Sequence, residues 1–196
     1  MNSRTFKAAD AQRLEDPERQ EWLPLQEAIE ALGISPGMTI ADIGAGTGYF
    51  AIPFARAVES SGTVLAIDFQ PDMLAIIRQK LKAPAAPQNI RLLEGSAENT
   101  GVPESRCNLV FLANIWHELD DHVAVLREAA RILTADGSIA VLDWRHDVTR
   151  PPGPRVEHRV SLAKTRTALE DAGCHIRHAG SFGAYNYLVI GSRPAR

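Results

Sequence analysis

The chain has 196 residues, 45% of them hydrophobic and 23% charged, and a formal net charge of −3. That length suffices for one domain with a real core, and the charge provides no global basic field to hold nucleic acid. No apolar run approaches the roughly 18 residues of a membrane span. The first seven residues lack the apolar core of a signal peptide, and Cys107 and Cys174 form neither a metal-ligand spacing nor a disulfide framework. A cytoplasmic, reduced setting and no bound metal are therefore expected.

Residues 1–15 are polar and mixed in charge and read as a mobile arm or cap. Asp16 and Pro17 suit the N-cap and N1 positions of a helix, whose apolar stripe Trp22, Leu23, Leu25, Ile29 and Leu32 is interrupted by Pro24 and ends at Gly33. Thr39 to Ile43 is a short apolar strand that runs into a turn with glycines at 44, 46 and 48, and Tyr49 to Val58 then has helical spacing. Thr63 to Asp68 is a second apolar strand ending in an acid, and Pro71 to Leu81 is a helix. Strands follow at Asn89–Glu94 and Cys107–Ala113, a loop at Asn114–Leu119, a helix at Asp121–Leu133 and a strand at Ser138–Asp143. Beyond a Pro/Gly/Arg-rich stretch, Arg150–Arg155, come a helix near Ser161–Ala172 and two late strands, Cys174–Ala179 and Tyr185–Ile190, joined as a hairpin. Alternating strands and helices, with strands that are apolar throughout, predict an α/β fold with a parallel sheet covered on both faces.

In such a sheet, ligands bind beyond the carboxyl ends of the strands. Those ends carry Asp42 with the Gly44–Gly48 turn, Asp68-Phe69, Ser96-Ala97-Glu98, Asn114 to Glu118, and Asp143-Trp144. A glycine turn between strand and helix lets backbone approach a nucleotide-like ligand. The spacing here is G-x-G-x-G, and position 49, where a dinucleotide site needs its third glycine, is Tyr49. Asp68, one strand–helix–strand unit later, suits a pair of ribose hydroxyls, because a carboxylate accepts with two oxygens; by itself it does not choose between an S-adenosyl and a nicotinamide cofactor.

Asp42-x-Gly44-x-Gly46-x-Gly48 resembles motif I of the class I S-adenosylmethionine (SAM) dependent methyltransferases, and Asn114-Ile-Trp-His-Glu-Leu119 resembles that family's loop after the fourth strand. The chain looks most like the ubiquinone/menaquinone-methyltransferase branch, also described as methyltransferase domains 11 and 25. The resemblance implies a Rossmann-like, doubly wound, seven-stranded mixed sheet in the order 3-2-1-4-5-7-6, strand 7 antiparallel, with helices on both faces. It divides the chain into an N-terminal arm and helix, 1–33, capping the site, and one catalytic domain, 34–196. It implies SAM as cofactor and S-adenosylhomocysteine as product, bound by Asp42, Gly44, Ala45, Gly46, Gly48, Asp68, Phe69, Ser96, Ala97, Glu98 and Asn114. Ser96 stands where the family usually has the acid that holds adenine. Trp116, Glu118, Trp144 and Tyr185 would border a small-molecule acceptor, and His117, with an ordinary pKa near 6.5, is a candidate general base. Arg and His are frequent from Arg145 to Arg177, either as a solvated charged face or, with Arg155, as an attraction for an anionic acceptor. A protein or RNA methyltransferase, or a non-catalytic SAM-binding protein, would keep the same core. No membrane span or nucleic-acid partner is implied, and a homodimer is compatible with the sequence.

Overall fold

The computed structural model describes residues 6–148 and 153–193. Residues 1–5 of the polar arm and 150–152 of the Pro/Gly/Arg-rich stretch lie outside the described residues. Seven strands form one sheet: β1 Thr39–Ile43, β2 Thr63–Asp68, β3 Ile90–Glu94, β4 Cys107–Ala113, β5 Leu133–Trp144, β6 His175–Phe182 and β7 Asn186–Ser192. Their order is β3-β2-β1-β4-β5-β7-β6, as expected. The first five are mutually parallel, and β7 runs antiparallel to both β5 and β6. Chain order reverses between β1 and β4, which opens a crevice beyond their carboxyl ends.

Alternation along each central strand divides the core into two layers. Ile40, Leu109, Phe111 and Leu142 face one side, while Ala41, Val110, Leu112 and Val141 face the other. The first layer packs under α2 (Leu25–Leu32), α3 (Ala51–Ala57) and α4 (Pro71–Lys80), where the rings of Phe50, Phe54 and Phe111 meet with centroids 4.9–5.5 Å apart. The second lies under α5 (His122–Ile132) and receives Leu169 from α6 (Leu162–Asp171). Helix ends follow local chemistry. The Asp121 carboxylate accepts from Ala124 N–H at 2.9 Å, and Gly33 caps α2 in the left-handed region.

Pro24 interrupts the first helix as expected, splitting it into α1 (Arg19–Trp22) and α2, because proline removes the N–H that would carry the helix through. Two other boundaries differ from the sequence reading. Part of the expected mobile arm, Ala8–Glu15, is instead a 3₁₀ helix lying along the crevice. β5 starts before the Asp136-Gly137 turn: Leu133 pairs with Cys107, and a register shift absorbs Thr134 to Gly137 before Ser138 pairs with Leu109. Among the described residues no helix is long and apolar enough to cross a membrane.

Candidate functional site

A cavity of about 1020 Å³ opens beyond the carboxyl ends of β1, β2, β4 and β5. Its floor is the turn after β1. Gly44 and Ala45 N–H groups both donate to the Ile67 carbonyl, at 2.8 and 3.0 Å, which folds the turn onto β2. Gly46 has φ 54°, a region costly for a side chain, and its N–H donates to Asp68 Oδ2 at 2.9 Å. Asp68 Oδ1 accepts from Gln70 N–H at 2.9 Å. Burial raises the Asp68 pKa, and the N–H groups of Gln70, Gly46 and Phe69 oppose the shift.

Asp42 is 2% exposed, and its pKa is pushed up to about 7, first by burial and then by the neighbouring Asp68, with Arg19 opposing. Arg19 is itself buried, lies 4.1 Å over the Tyr49 ring, and donates from Nη1 to the Leu14 carbonyl at 3.0 Å. Burial lowers its pKa to about 10. Tyr49 is held by a 2.7 Å hydrogen bond to the Leu23 carbonyl. Asn114 follows β4 with φ 57°, an uncommon backbone state for a residue with a side chain. Its Oδ1 accepts from Asn186 Nδ2 at 2.7 Å. Among the described residues, six buried side-chain N or O atoms lack a hydrogen-bond partner; Arg19 Nε, Asp42 Oδ2, Thr47 Oγ1 and Asn114 Nδ2 belong to residues that line the cavity, while Trp116 Nε1 and Asn186 Oδ1 do not. Buried polar atoms are normally paired, so this cluster of donors and acceptors suits a ligand carrying both an ammonium and a carboxylate.

The opposite end is built around His117 and Asp143. His117 Nδ1 lies 2.8 Å from Asp143 Oδ1, and His117 N–H donates to Asp143 Oδ2 at 2.8 Å. His117 Nε2 is 3.9 Å from Glu118 Oε1. Burial pushes the Glu118 pKa up to about 7, partly offset by His117 and by the Phe6 N–H that bonds both of its oxygens at 3.2 Å. Gln70 holds the same arm, accepting from Ala8 N–H and donating to the Phe6 carbonyl. Trp22, Trp144 and Tyr185 form an aromatic wall, with centroids 5.2 Å (Trp22–Trp144) and 6.1 Å (Trp22–Tyr185) apart.

Of the residues singled out in the sequence, Asp42, Gly44, Ala45, Gly46, Asp68, Phe69, Ser96, Ala97, Glu98, Asn114, His117, Glu118, Trp144 and Tyr185 all line this cavity. Two do not. Trp116 is fully buried and stacks on His122, centroids 4.0 Å apart. The 3₁₀ turn Trp116–Glu118 spreads successive side chains by about 120°, so Trp116 packs into the α5 layer while His117 and Glu118 reach the cavity. Gly48 faces the helices instead: a Cβ there would lie 3.2 Å from Ile77 Cγ1, so this glycine admits close packing of α3 and α4. Arg155 is also absent from the cavity wall; its side chain is exposed, 3.8 Å from Glu157. Arg19, Tyr49 and Asp143 were given no role from sequence. Arg19 sits one helical turn before Trp22, a spacing that places both on one face. Asp143 shows in sequence only as the acid closing a strand.

The methyltransferase-domain family pattern matches residues 40–137. A ubiquinone/menaquinone biosynthesis C-methyltransferase of Shewanella woodyi is 30% identical over 125 residues, covering 62% of this chain and 50% of that protein. The chain thus spans about half the length of the curated relatives it matches. Among solved structures, a SAM-dependent methyltransferase from Aquifex aeolicus superposes with a TM-score of 0.90 at 26% identity, over 96% of this chain and 99% of that one. One from Mesorhizobium loti shares the fold, with a TM-score of 0.67 at 20% identity over 85% and 96% of the two chains.

Proposed function

The chain belongs to the class I SAM-dependent methyltransferases, and on that premise we propose that it transfers the methyl group of SAM to a small-molecule acceptor. The observation that carries this reading is the ring of buried, unpartnered polar atoms on Arg19, Asp42, Thr47 and Asn114 around the glycine turn. They match the amino-acid end of the cofactor: Arg19 and the Asn114 Nδ2 group would donate to the carboxylate, and Asp42 would accept from the ammonium group. Gly44, Ala45 and Gly46 would let backbone lie against that end, with Gly48 setting the turn from behind. Asp68 would accept from the ribose hydroxyls. Phe69, Ser96, Ala97 and Glu98 would surround adenine, with Ser96 offering a hydroxyl where a charged acid would otherwise stand.

When bound, SAM supplies a methyl group already activated by the sulfonium charge, and sulfur leaves with the bond's electron pair. The protein's own work is then orientation, water exclusion and proton removal. Glu118, Trp144 and Tyr185 would flank the acceptor with His117 as base, and the arm and helices of residues 1–33 would cap the two ligands. The similarity to C-methyltransferases of quinone biosynthesis and the aromatic wall both support a small organic acceptor.

Thermal shift with SAM, S-adenosylhomocysteine and NAD tests the cofactor. A ligand at 100 times its Kd adds about 2.7 kcal/mol to the native state. Stabilisation by the two S-adenosyl compounds and none by NAD is expected, and the reverse pattern would overturn the reading.

A further inference from the structure

We infer, resting on the methyl-transfer reading, that Asp143 is the positioning residue that makes His117 a general base, and that the acceptor is a planar molecule reacting through a hydroxyl group. Asp143 is 0% exposed and is the penultimate residue of β5. Its carboxylate takes three N–H groups: His117 N and Trp144 N, at 2.8 and 2.7 Å, and the His117 ring at Nδ1. Both oxygens of Asp143 already accept a backbone N–H, which places Nδ1 as a further donor and leaves Nε2 as the basic nitrogen. Binding ring and backbone together also fixes the angle at which the imidazole meets the cavity. The two backbone N–H groups bond to different oxygens, so a neutral amide, with one acceptor oxygen, could hold only one of them. What a carboxylate adds is stabilisation of the imidazolium formed when Nε2 takes a proton.

That proton must come from the acceptor. Hydroxyls conjugated to a ring ionise near pH 10 and are protonated at neutral pH, so they gain most from a base. Aliphatic amines are protonated at neutral pH too, but they bring a positive charge that an apolar wall disfavours, and acidic thiols are largely ionised. Trp22 and Tyr185 give the cavity apolar ring surface, backed by Trp144, which is buried between Trp22 and Gly153. In the step, the hydroxyl proton passes to His117 Nε2 and the oxygen lone pair forms the new bond to the methyl carbon. The pair of the broken carbon–sulfur bond stays on sulfur, and the imidazolium later returns its proton to water. Among the described residues, the charged and titratable groups facing this dyad include Glu118 beside Nε2, and Arg159 and Tyr187 on the Asp143 side.

The test uses the full chain with 2-naphthol and thiophenol as probe acceptors. Histidine ¹⁵N NMR of the S-adenosylhomocysteine complex should show the neutral His117 ring protonated at Nδ1; protonation at Nε2 overturns the inference. Asp143→Asn should slow methylation of 2-naphthol by about 10²–10⁴-fold, shift its pH profile and leave thiophenol methylation and S-adenosylhomocysteine affinity little changed, with Asp143→Glu restoring part of the rate. Equal loss on both acceptors, or an unshifted pH profile, overturns the role of Asp143. A wild-type chain that binds S-adenosylhomocysteine yet methylates neither 2-naphthol nor any other planar hydroxylated ring overturns the acceptor class. Failure to bind S-adenosylhomocysteine at all would instead overturn the cofactor reading beneath it.

Discussion

Gly46 N–H donates to Asp68 Oδ2 at 2.9 Å, so the turn that follows β1 is tied to the acid that ends β2. One carboxylate thus shapes the floor of the cavity and presents its remaining lone pairs to whatever lies above. Asp68→Ala should loosen the turn and remove two charge-assisted acceptors, each worth about 1.5–3 kcal/mol. S-adenosylhomocysteine affinity should fall by at least tenfold in calorimetry, with Asp68→Asn falling less. An unchanged affinity for Asp68→Ala would contradict the ribose-binding role.

Arg19 and Asp68 make separable predictions, because on the proposed reading they would address different parts of one ligand, the amino-acid end and the ribose. Arg19→Met keeps much of the packing on Tyr49 but removes the guanidinium. It should weaken S-adenosylhomocysteine binding by roughly tenfold, about 1.4 kcal/mol, while 5′-methylthioadenosine, which lacks the amino-acid end, binds as before. Equal weakening of both ligands would assign Arg19 to folding of the cap and not to the carboxylate.

The buried acids set a pH dependence of stability. Asp42 and Glu118 are both raised to about 7 in the folded chain. Between about pH 4 and pH 7 each folded carboxyl keeps a proton that the unfolded chain has lost, so stability falls as pH rises through that window. Glu128 behaves oppositely. Its bonds to Arg131 and Thr100 lower its pKa to about 2, and its contribution is lost as pH drops from about 4.5 toward 2. The urea midpoint of the ligand-free chain should therefore be higher at pH 5 than at pH 8, and Asp42→Asn should reduce that difference. A midpoint that rises from pH 5 to pH 8 would refute the assignment.

The frame of the molecule was legible because local signals agreed with one another. Apolar strands alternate with helices, and glycine or acid punctuation marks each strand end, which was enough to place the ligand side of the sheet. What escaped was set by contacts distant in sequence. His117 and Asp143 are 26 residues apart and meet only because β4 and β5 are neighbours. Arg19 carries no signal in sequence beyond its place near a helix start, and its burial depends on Tyr49 and Leu14 closing over it. Trp116 was misplaced for a different reason: three consecutive residues of a 3₁₀ turn point three ways, and a motif read as a string assigns them all to one surface.

Gln70 links the cofactor floor to the arm above it. Its backbone N–H binds Asp68, while its side chain accepts from Ala8 N–H at 3.0 Å and donates to the Phe6 carbonyl at 2.9 Å. Glu118 holds Phe6 N–H from the far side of the cavity. Gln70→Ala removes two of these tethers and leaves the Asp68 contact, which is made by backbone, in place. Each tether is worth about 0.5–1.5 kcal/mol, too little to unfold the sheet but enough to shift a local opening equilibrium. The variant should keep its urea midpoint, expose the 6–15 segment to faster proteolysis, and release S-adenosylhomocysteine several-fold faster in stopped-flow measurements. Unchanged release with faster proteolysis would mean that the arm covers the cavity without retaining what is bound there.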